Sequence, residues 1–175
     1  MHQADEIELK WCLQAEGHAV LAVRLAETFG PGRPLDQENR FYDTIDGRLR
    51  QRRVNLRLRR ENGIWILTCK QRVLAADGLH HHREWETSLG TPAGDPLDTA
   101  LAQDLPAPLR ETLAGERPIC LGGFSNTRLA WDAEGEHICL DRTTFRKRTD
   151  HELEVETAQA EASRSSAEAQ LAAAR

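Results

Sequence analysis

Glu6, Glu8 and Lys10 stand at alternate positions near the start of the chain, and Glu152, Glu154 and Glu156 repeat that spacing near its end. Alternate residues of a strand share a face, so each set presents its charges together. Glutamates this close repel one another unless a cation neutralises them, and a hard divalent ion such as Mg²⁺ or Mn²⁺ takes oxygen ligands of this kind. A second set has the opposite sign: Arg57, Arg59 and Lys70. Arginine grips phosphate oxygens in bidentate fashion and lysine acts on them as a point charge. A carboxylate surface for metal and a basic surface for oligophosphate together suit metal-assisted phosphoryl chemistry. Any one strand taken alone also reads as a solvated sheet face, whose cross-strand ion pairs contribute about 0.2–1 kcal/mol each. The sorting of charges by sign along the chain is what favours a site.

The elements that must position these residues are mostly strands. Ile7, Leu9 and Trp11 alternate with the charges of the segment from Asp5 to Cys12. Val54, Leu56 and Leu58 alternate with Asn55, Arg57 and Arg59; Glu61-Asn62-Gly63 supplies a turn, and Ile64 to Arg72 returns as the second strand of a hairpin. The same period of two runs through His82 to Thr87, Asn126 to Trp131, Ile138 to Asp141 and Glu152 to Glu156. A short strand at Arg40 to Thr44 brings the expectation to about eight, with turns at Asp46-Gly47 and Glu134-Gly135. If these strands close into a barrel, the charged faces line one cavity. Helical spacing is confined to His18 to Phe29, stopped by Gly30-Pro31-Gly32, to Leu97 to Leu113, broken at Pro106 and Pro108, and to the Ala-rich segment from Ala158 to Arg175. The chain as a whole reads as a single domain over residues 1–175, mainly β with a few peripheral helices.

Composition excludes several classes. The 175 residues carry 23 Lys and Arg against 28 Asp and Glu, a net charge of −5 that disfavours a generic nucleic-acid binder. No apolar run approaches the roughly 18 residues of a membrane span, and no leader pattern opens the chain. Cys12, Cys69, Cys120 and Cys139 lie in apolar segments without metal-binding spacing, so they read as small buried thiols of a reducing cytoplasm.

Glu6-Ile7-Glu8-Leu9-Lys10 matches the E-x-E-x-K signature of the CYTH superfamily, the triphosphate tunnel metalloenzymes, and the resemblance continues along the chain. It runs through Tyr42-Asp43-Thr44, Leu56-Arg57-Leu58-Arg59, Thr68-Cys69-Lys70, Arg83-Glu84-Trp85-Glu86, Gly122 to Arg128, Leu140-Asp141 and Glu152 to Glu156, covering residues 5 to 157. The resemblance implies a closed antiparallel eight-stranded β-tunnel with divalent metal, Mg²⁺ or Mn²⁺, on the glutamates of its first and last strands. Glu6, Glu8, Glu84, Glu152 and Glu154 take the metal side by motif position, with Glu86 and Glu156 sharing that face in undefined roles. Lys10, Arg57, Arg59, Lys70 and Arg128 resemble phosphate ligands, and Asp141 a carboxylate that orients a basic partner. Glu6, Glu8, Lys10 and Glu154 are the implied catalytic set, with a metal-activated water as nucleophile. Gly122 to Arg128, Asn62-Gly63 and Gly78-Leu79-His80 are similar to plant or bacterial inorganic triphosphatases. Hydrolysis of inorganic tripolyphosphate to pyrophosphate and phosphate is therefore the first expectation, in a cytoplasmic monomer or homodimer. Thiamine triphosphatase, class IV adenylate cyclase and RNA or nucleoside triphosphatase are the alternatives within the superfamily. A non-catalytic polyphosphate- or nucleotide-binding module is the alternative outside it.

Other features carry less. His80-His81-His82 cannot chelate one ion as consecutive strand residues, and is expected in an exposed hairpin with His82 left open. The basic run Arg48 to Arg53 lacks interleaved aromatics and reads as a solvated strand start, with Arg50 and Arg52 open as substrate contacts. Trp11, Trp65, Trp85 and Trp131 fall on faces opposite the charges and are assigned to packing. Family members continue past the last strand to a further basic residue, whereas this sequence ends at Arg175; Arg164 or Arg175 is the available substitute.

Overall fold

Alternating apolar and charged residues form eight strands in the computed structural model, which describes residues 1–76, 79–133 and 135–173. Gly78, Glu134 and Arg175, singled out above, lie outside the described residues. The elements in chain order are β1 (His2–Leu13), α1 (Ala15–Phe29), β2 (Arg33–Asp43), α2 (Arg48–Gln51), β3 (Val54–Glu61) and β4 (Ile64–Ala76). They are followed by β5 (Leu79–Gly90), α3 (Pro96–Leu101), α4 (Ala107–Leu113), β6 (Ile119–Ala133), β7 (Glu136–Thr144), β8 (Thr149–Glu156) and α5 (Ala160–Ala173). The strands close into an antiparallel barrel in the order β1-β5-β4-β3-β2-β6-β7-β8, with β8 returning to pair β1. Among the described strands closure leaves no sheet edge and makes the alternation of side chains an alternation between lumen and exterior.

Turn chemistry fixes the register of the basic strands. Asn62 and Gly63 both take positive φ, 47° and 92°, the two-residue turn that matches strand twist, and Glu61 consequently pairs with Ile64. That register places Arg57 opposite Thr68 and Asn55 opposite Lys70. Gly123 allows a close approach of another kind: a side chain there would collide with the Asn39 carbonyl.

The chain resolves into two compact units. The first comprises Met1–Asp5, Gln37–Val73 and His82–Phe124. Its core joins Leu56, Leu58, Leu67, Cys69 and Trp85 from the strands to Leu97, Leu109 and Leu113 from α3 and α4. The second comprises Glu6–Asp36, Leu74–His81 and Ser125–Arg175. Here Trp131, Ile138, Leu140, Leu153 and Val155 pack against Leu21 and Leu25 of α1 and Ala167 of α5. Leu58 and Leu21 are fully buried, so truncating either to Ala costs about 2–5 kcal/mol. Trp85 and Trp131 lie in these cores, with Trp65 and Trp11 packed against them.

Four expectations differ from the structure. The basic run Arg48 to Arg53 opens with a helical turn, Arg48–Gln51, rather than a strand start, because preceding side chains cap it. Asp43 Oδ1 accepts from the Leu49 amide at 2.8 Å, Asp43 Oδ2 from Arg50 at 3.2 Å, and Thr44 Oγ1 from Arg48 at 2.9 Å, while Leu49 is buried. The motif residues Asp43 and Thr44 thus do structural work. β2 begins at Arg33, several residues before the expected Arg40, because neutral Gln37 and Asn39 carry its buried face. His80, His81 and His82 are half-buried within β5 rather than in an exposed hairpin. Cys12 and Cys120 are exposed, whereas Cys69 and Cys139 are buried, and burial pushes both buried thiols up to about 12.

Candidate functional site

In the second unit, the first and last strands bring glutamates into direct opposition: Glu8 pairs with Glu156 and Lys10 with Glu154 across the β1–β8 ladder. Like charges directly opposite in a sheet are destabilising. One carboxylate oxygen from each of Glu6, Glu8 and Glu156 lies within 4.8 Å of the other two. Glu6 and Glu8 are 9% and 3% exposed, so water screens their mutual repulsion poorly. Oxygen donors, net negative charge and close convergence are what a hard divalent cation requires, and these three carboxylates fit one.

Beside this triad runs an ion-paired ladder. Lys10 Nζ donates to Glu154 Oε1 at 2.6 Å and lies 3.2 Å from Glu8 Oε1. Burial alone would lower the Lys10 pKa, but the Glu154 and Glu8 carboxylates outweigh it and hold the ammonium above its ordinary range. Arg128 donates from Nη2 to Glu154 Oε2 at 2.6 Å. It also grips Asp141 through Nε to Oδ1 at 2.7 Å and Nη2 to Oδ2 at 2.6 Å. Here too burial is outweighed, by Asp141 and Glu154, and the guanidinium stays charged. Asn126 Nδ2 completes the ladder by donating to Asp141 Oδ1 at 2.9 Å. Glu152 stands opposite Asp141; burial and the neighbouring Glu154 raise its carboxyl above the usual carboxylate range.

In the first unit the charge is arranged differently. Arg57 Nη2 lies 3.5 Å from Thr68 Oγ1, and Lys70 Nζ lies 3.7 Å from Glu84 Oε1. Arg59 Nη2 donates to Glu86 Oε1 at 3.1 Å, and its Nε is 3.6 Å from Glu61 Oε2. That Glu61 oxygen is itself held by Gln37 Nε2 at 2.7 Å. Glu84 and Glu86 border a cavity of about 310 Å³ together with His2, Ala4, Thr87 and Ser88.

The structure therefore gathers Glu6 and Glu8 with Glu156, whose role the sequence left open, and joins Lys10, Arg128, Asp141 and Glu154 in one network. Glu84 stands beside Lys70, and Glu152 next to Asp141. Sequence reasoning missed Gln37, Asn39 and Glu61. The period-two pattern Gln37, Asn39, Phe41 is the available signal, hidden because its members are neutral.

Comparison with known proteins agrees with this geometry. The CYTH domain profile matches residues 4–175. The candidate triphosphatase YjbK of Bacillus subtilis (strain 168) is 28% identical over 159 residues, covering 90% of this chain and 80% of YjbK. Among solved structures, HpAC1 from Hippeastrum, a candidate adenylyl cyclase described as having a dominant triphosphatase activity, superposes with a TM-score of 0.83 at 26% identity, covering 97% of this chain and 87% of HpAC1. A candidate adenylate cyclase of Bacillus halodurans shares the fold, with a TM-score of 0.66 at 23% identity over 99% of this chain and 91% of its own. With the profile spanning the barrel strands and the convergent carboxylates, the chain belongs to the CYTH domain family.

Proposed function

We propose that this protein hydrolyses inorganic tripolyphosphate to phosphate and pyrophosphate with a divalent metal, Mg²⁺ or Mn²⁺. The observation that carries the reading is the convergence of Glu6, Glu8 and Glu156, whose carboxylate oxygens are the donor set a hard divalent cation takes. The triphosphatase activity ascribed to HpAC1 supports the same class of chemistry.

Glu6, Glu8 and Glu156 would hold the ion, with Glu84, Glu152 and Glu154 as further carboxylates of the metal side. When bound, it would polarise phosphoryl oxygens and lower the pKa of a water molecule. Arg57, Arg59 and Lys70 would bind the phosphate chain, neutralising charge that spreads over the equatorial oxygens as the phosphoryl group transfers. Water adds to a terminal phosphorus, and the bond from that phosphorus to the bridging oxygen breaks. Lys10, held protonated, contributes charge and a donor to that step rather than acting as a base. Arg128 is fixed by Asp141 with its Nη2 shared by Glu154, so it contributes a preset positive charge.

Recognition through the phosphate chain alone predicts a higher kcat/KM for tripolyphosphate than for ATP or thiamine triphosphate, and poor use of the shorter pyrophosphate. Phosphate release measured in parallel from all four tests this. Cyclic AMP formed from ATP, or a tenfold preference for thiamine triphosphate, would replace the reading with another activity of the family.

A further inference from the structure

Arg59 is the one basic residue of the proposed phosphate set whose guanidinium has a buried nitrogen without a hydrogen-bond partner among the described residues: its Nε. The residue directly opposite it on β2 is Asn39, 2% exposed, and Asn39 Oδ1 is likewise buried without a partner. Opposite residues of an antiparallel pair project to the same face. A donor and an acceptor thus stand without a hydrogen bond on neighbouring side chains, an arrangement disfavoured while it lasts. Two carboxylates account for why they do not meet. Glu61 lies 3.6 Å from Nε and is anchored through its bond from Gln37, while Glu86 draws Nη2 to 3.1 Å. The two differ in freedom: the Glu86 side chain is 35% exposed and borders the 310 Å³ cavity, so it has space to swing away.

We propose that Glu86 is a positioning residue that holds Arg59 in a substrate-free arrangement, and that an incoming phosphate displaces the Glu86 carboxylate from Arg59. The guanidinium then shifts so that Nε donates to Asn39 Oδ1 and its outer nitrogens turn to the phosphate. Glu86 is in this sense an internal competitor for the anion, and it sharpens specificity for the charge-dense phosphate chain over weaker anions that cannot displace it. The inference rests on the reading of Arg59 as a phosphate ligand, and it assigns Glu86 a function other than metal binding. Because only a fraction of the unliganded protein has Arg59 released, the apparent affinity is lowered by that fraction.

The test is equilibrium binding of tripolyphosphate to the full chain in EDTA, by titration calorimetry, which reads anion affinity without turnover. Glu86→Gln, an isosteric change at a part-exposed position, should tighten binding by about two- to fivefold, the range expected for releasing an exposed ion pair. In an Arg59→Ala background the same change should have no effect, since the coupling passes through Arg59. Asn39→Ser should weaken binding in otherwise wild-type protein. In steady state, Glu86→Gln should lower KM by the same factor with kcat unchanged, a split that loss of a structural contact does not produce. Weaker or unchanged binding in Glu86→Gln, or equal tightening with Arg59 absent, would overturn the proposal. If tripolyphosphate binds but is not hydrolysed, the hydrolase reading fails while the calorimetric comparison still decides this one.

Discussion

The two units use charge in opposite ways. In the second, cations are committed: Arg128 makes two bonds to Asp141 and one to Glu154, and Lys10 bridges Glu154 and Glu8, at 2.6–3.2 Å. In the first, Arg59 lies 3.1 Å from Glu86, which borders a cavity, and 3.6 Å from Glu61 on its own strand, while among the described contacts Arg57 reaches the Thr68 hydroxyl at 3.5 Å and Lys70 the Glu84 carboxylate at 3.7 Å. Charges bound at short range to several partners cost much to release, whereas a longer pair with a part-exposed carboxylate such as Glu86 exchanges partners at lower cost. The second unit thus presents a preset electrostatic frame around its glutamate triad, and the first, on the proposal made above, presents in Arg59 a basic group poised to change partners. Preset charge suits stabilising a transition state, since no reorganisation is needed during reaction. Exchangeable pairing suits capture and release of a polyanion.

The largest effect should come from the triad. Glu8→Gln removes one carboxylate of the proposed metal set without opening an apolar void, so we expect a loss on the order of a thousandfold in kcat, with a native circular-dichroism spectrum and unfolding transition. Near-wild-type turnover at saturating Mg²⁺ would remove Glu8 from the metal side. Arg128→Ala and Arg57→Ala set the units against each other. The first leaves Asp141 and Glu154 buried without their shared guanidinium and should cost about 3–5 kcal/mol of stability in urea unfolding. The second should cost about 1 kcal/mol or less, yet lower kcat/KM roughly ten- to a hundredfold through a lost phosphate contact. Equal stability losses would erase the distinction between a fixed and an exchangeable half.

Smaller effects probe the outer faces. His18, in the first turn of α1, packs against His151 with ring centroids 4.8 Å apart and the rings tilted by 59°, and burial together with His151 lowers its pKa. Protonation therefore favours the unfolded chain: the His18 contribution is fully present above the unfolded value near pH 6.5 and fades as pH falls below it toward the depressed folded value. Chemical unfolding at pH 7.5 and 5.5 should show a modest loss of stability that His18→Gln reduces. The thiols give the mildest contrast, one exposed and one buried in each unit. Under native conditions a thiol reagent should modify Cys12 and Cys120 and spare Cys69 and Cys139, as read by mass spectrometry. Modification of Cys139 before Cys69 would show the second unit opening more readily than the first, against the order expected from its tighter ion pairs.

Period-two alternation made β1, β3, β4 and β8 legible because one face of each carries charge and the other carries Ile, Leu, Val or Trp. It failed at Arg48–Gln51, where four residues in isolation favour no helix and the turn exists because Asp43 and Thr44 reach forward to cap it. It failed again at Gln37 and Asn39, since neutral polar residues on the buried face of β2 give no contrast in charge. Spacing put Glu152, Glu154 and Glu156 on one face, but which of them converges with Glu6 and Glu8 depends on the β1–β8 register, and that pairs Glu8 with Glu156 and Lys10 with Glu154. The exposed hairpin expected at His80 to His82 failed for a similar reason, because burial along β5 depends on partners distant in sequence.

The most direct test of a metal-holding triad set against an exchangeable phosphate-binding face is tripolyphosphate hydrolysis followed through metal removal and return. Wild-type protein and Glu156→Gln would be stripped with EDTA and then titrated with Mg²⁺ or Mn²⁺ while phosphate release is measured. The account predicts no release in EDTA, full recovery of the wild type with metal, and recovery of Glu156→Gln only at much higher metal concentration or not at all. Release that persists in EDTA, or a Glu156→Gln titration that overlays the wild type, would contradict it.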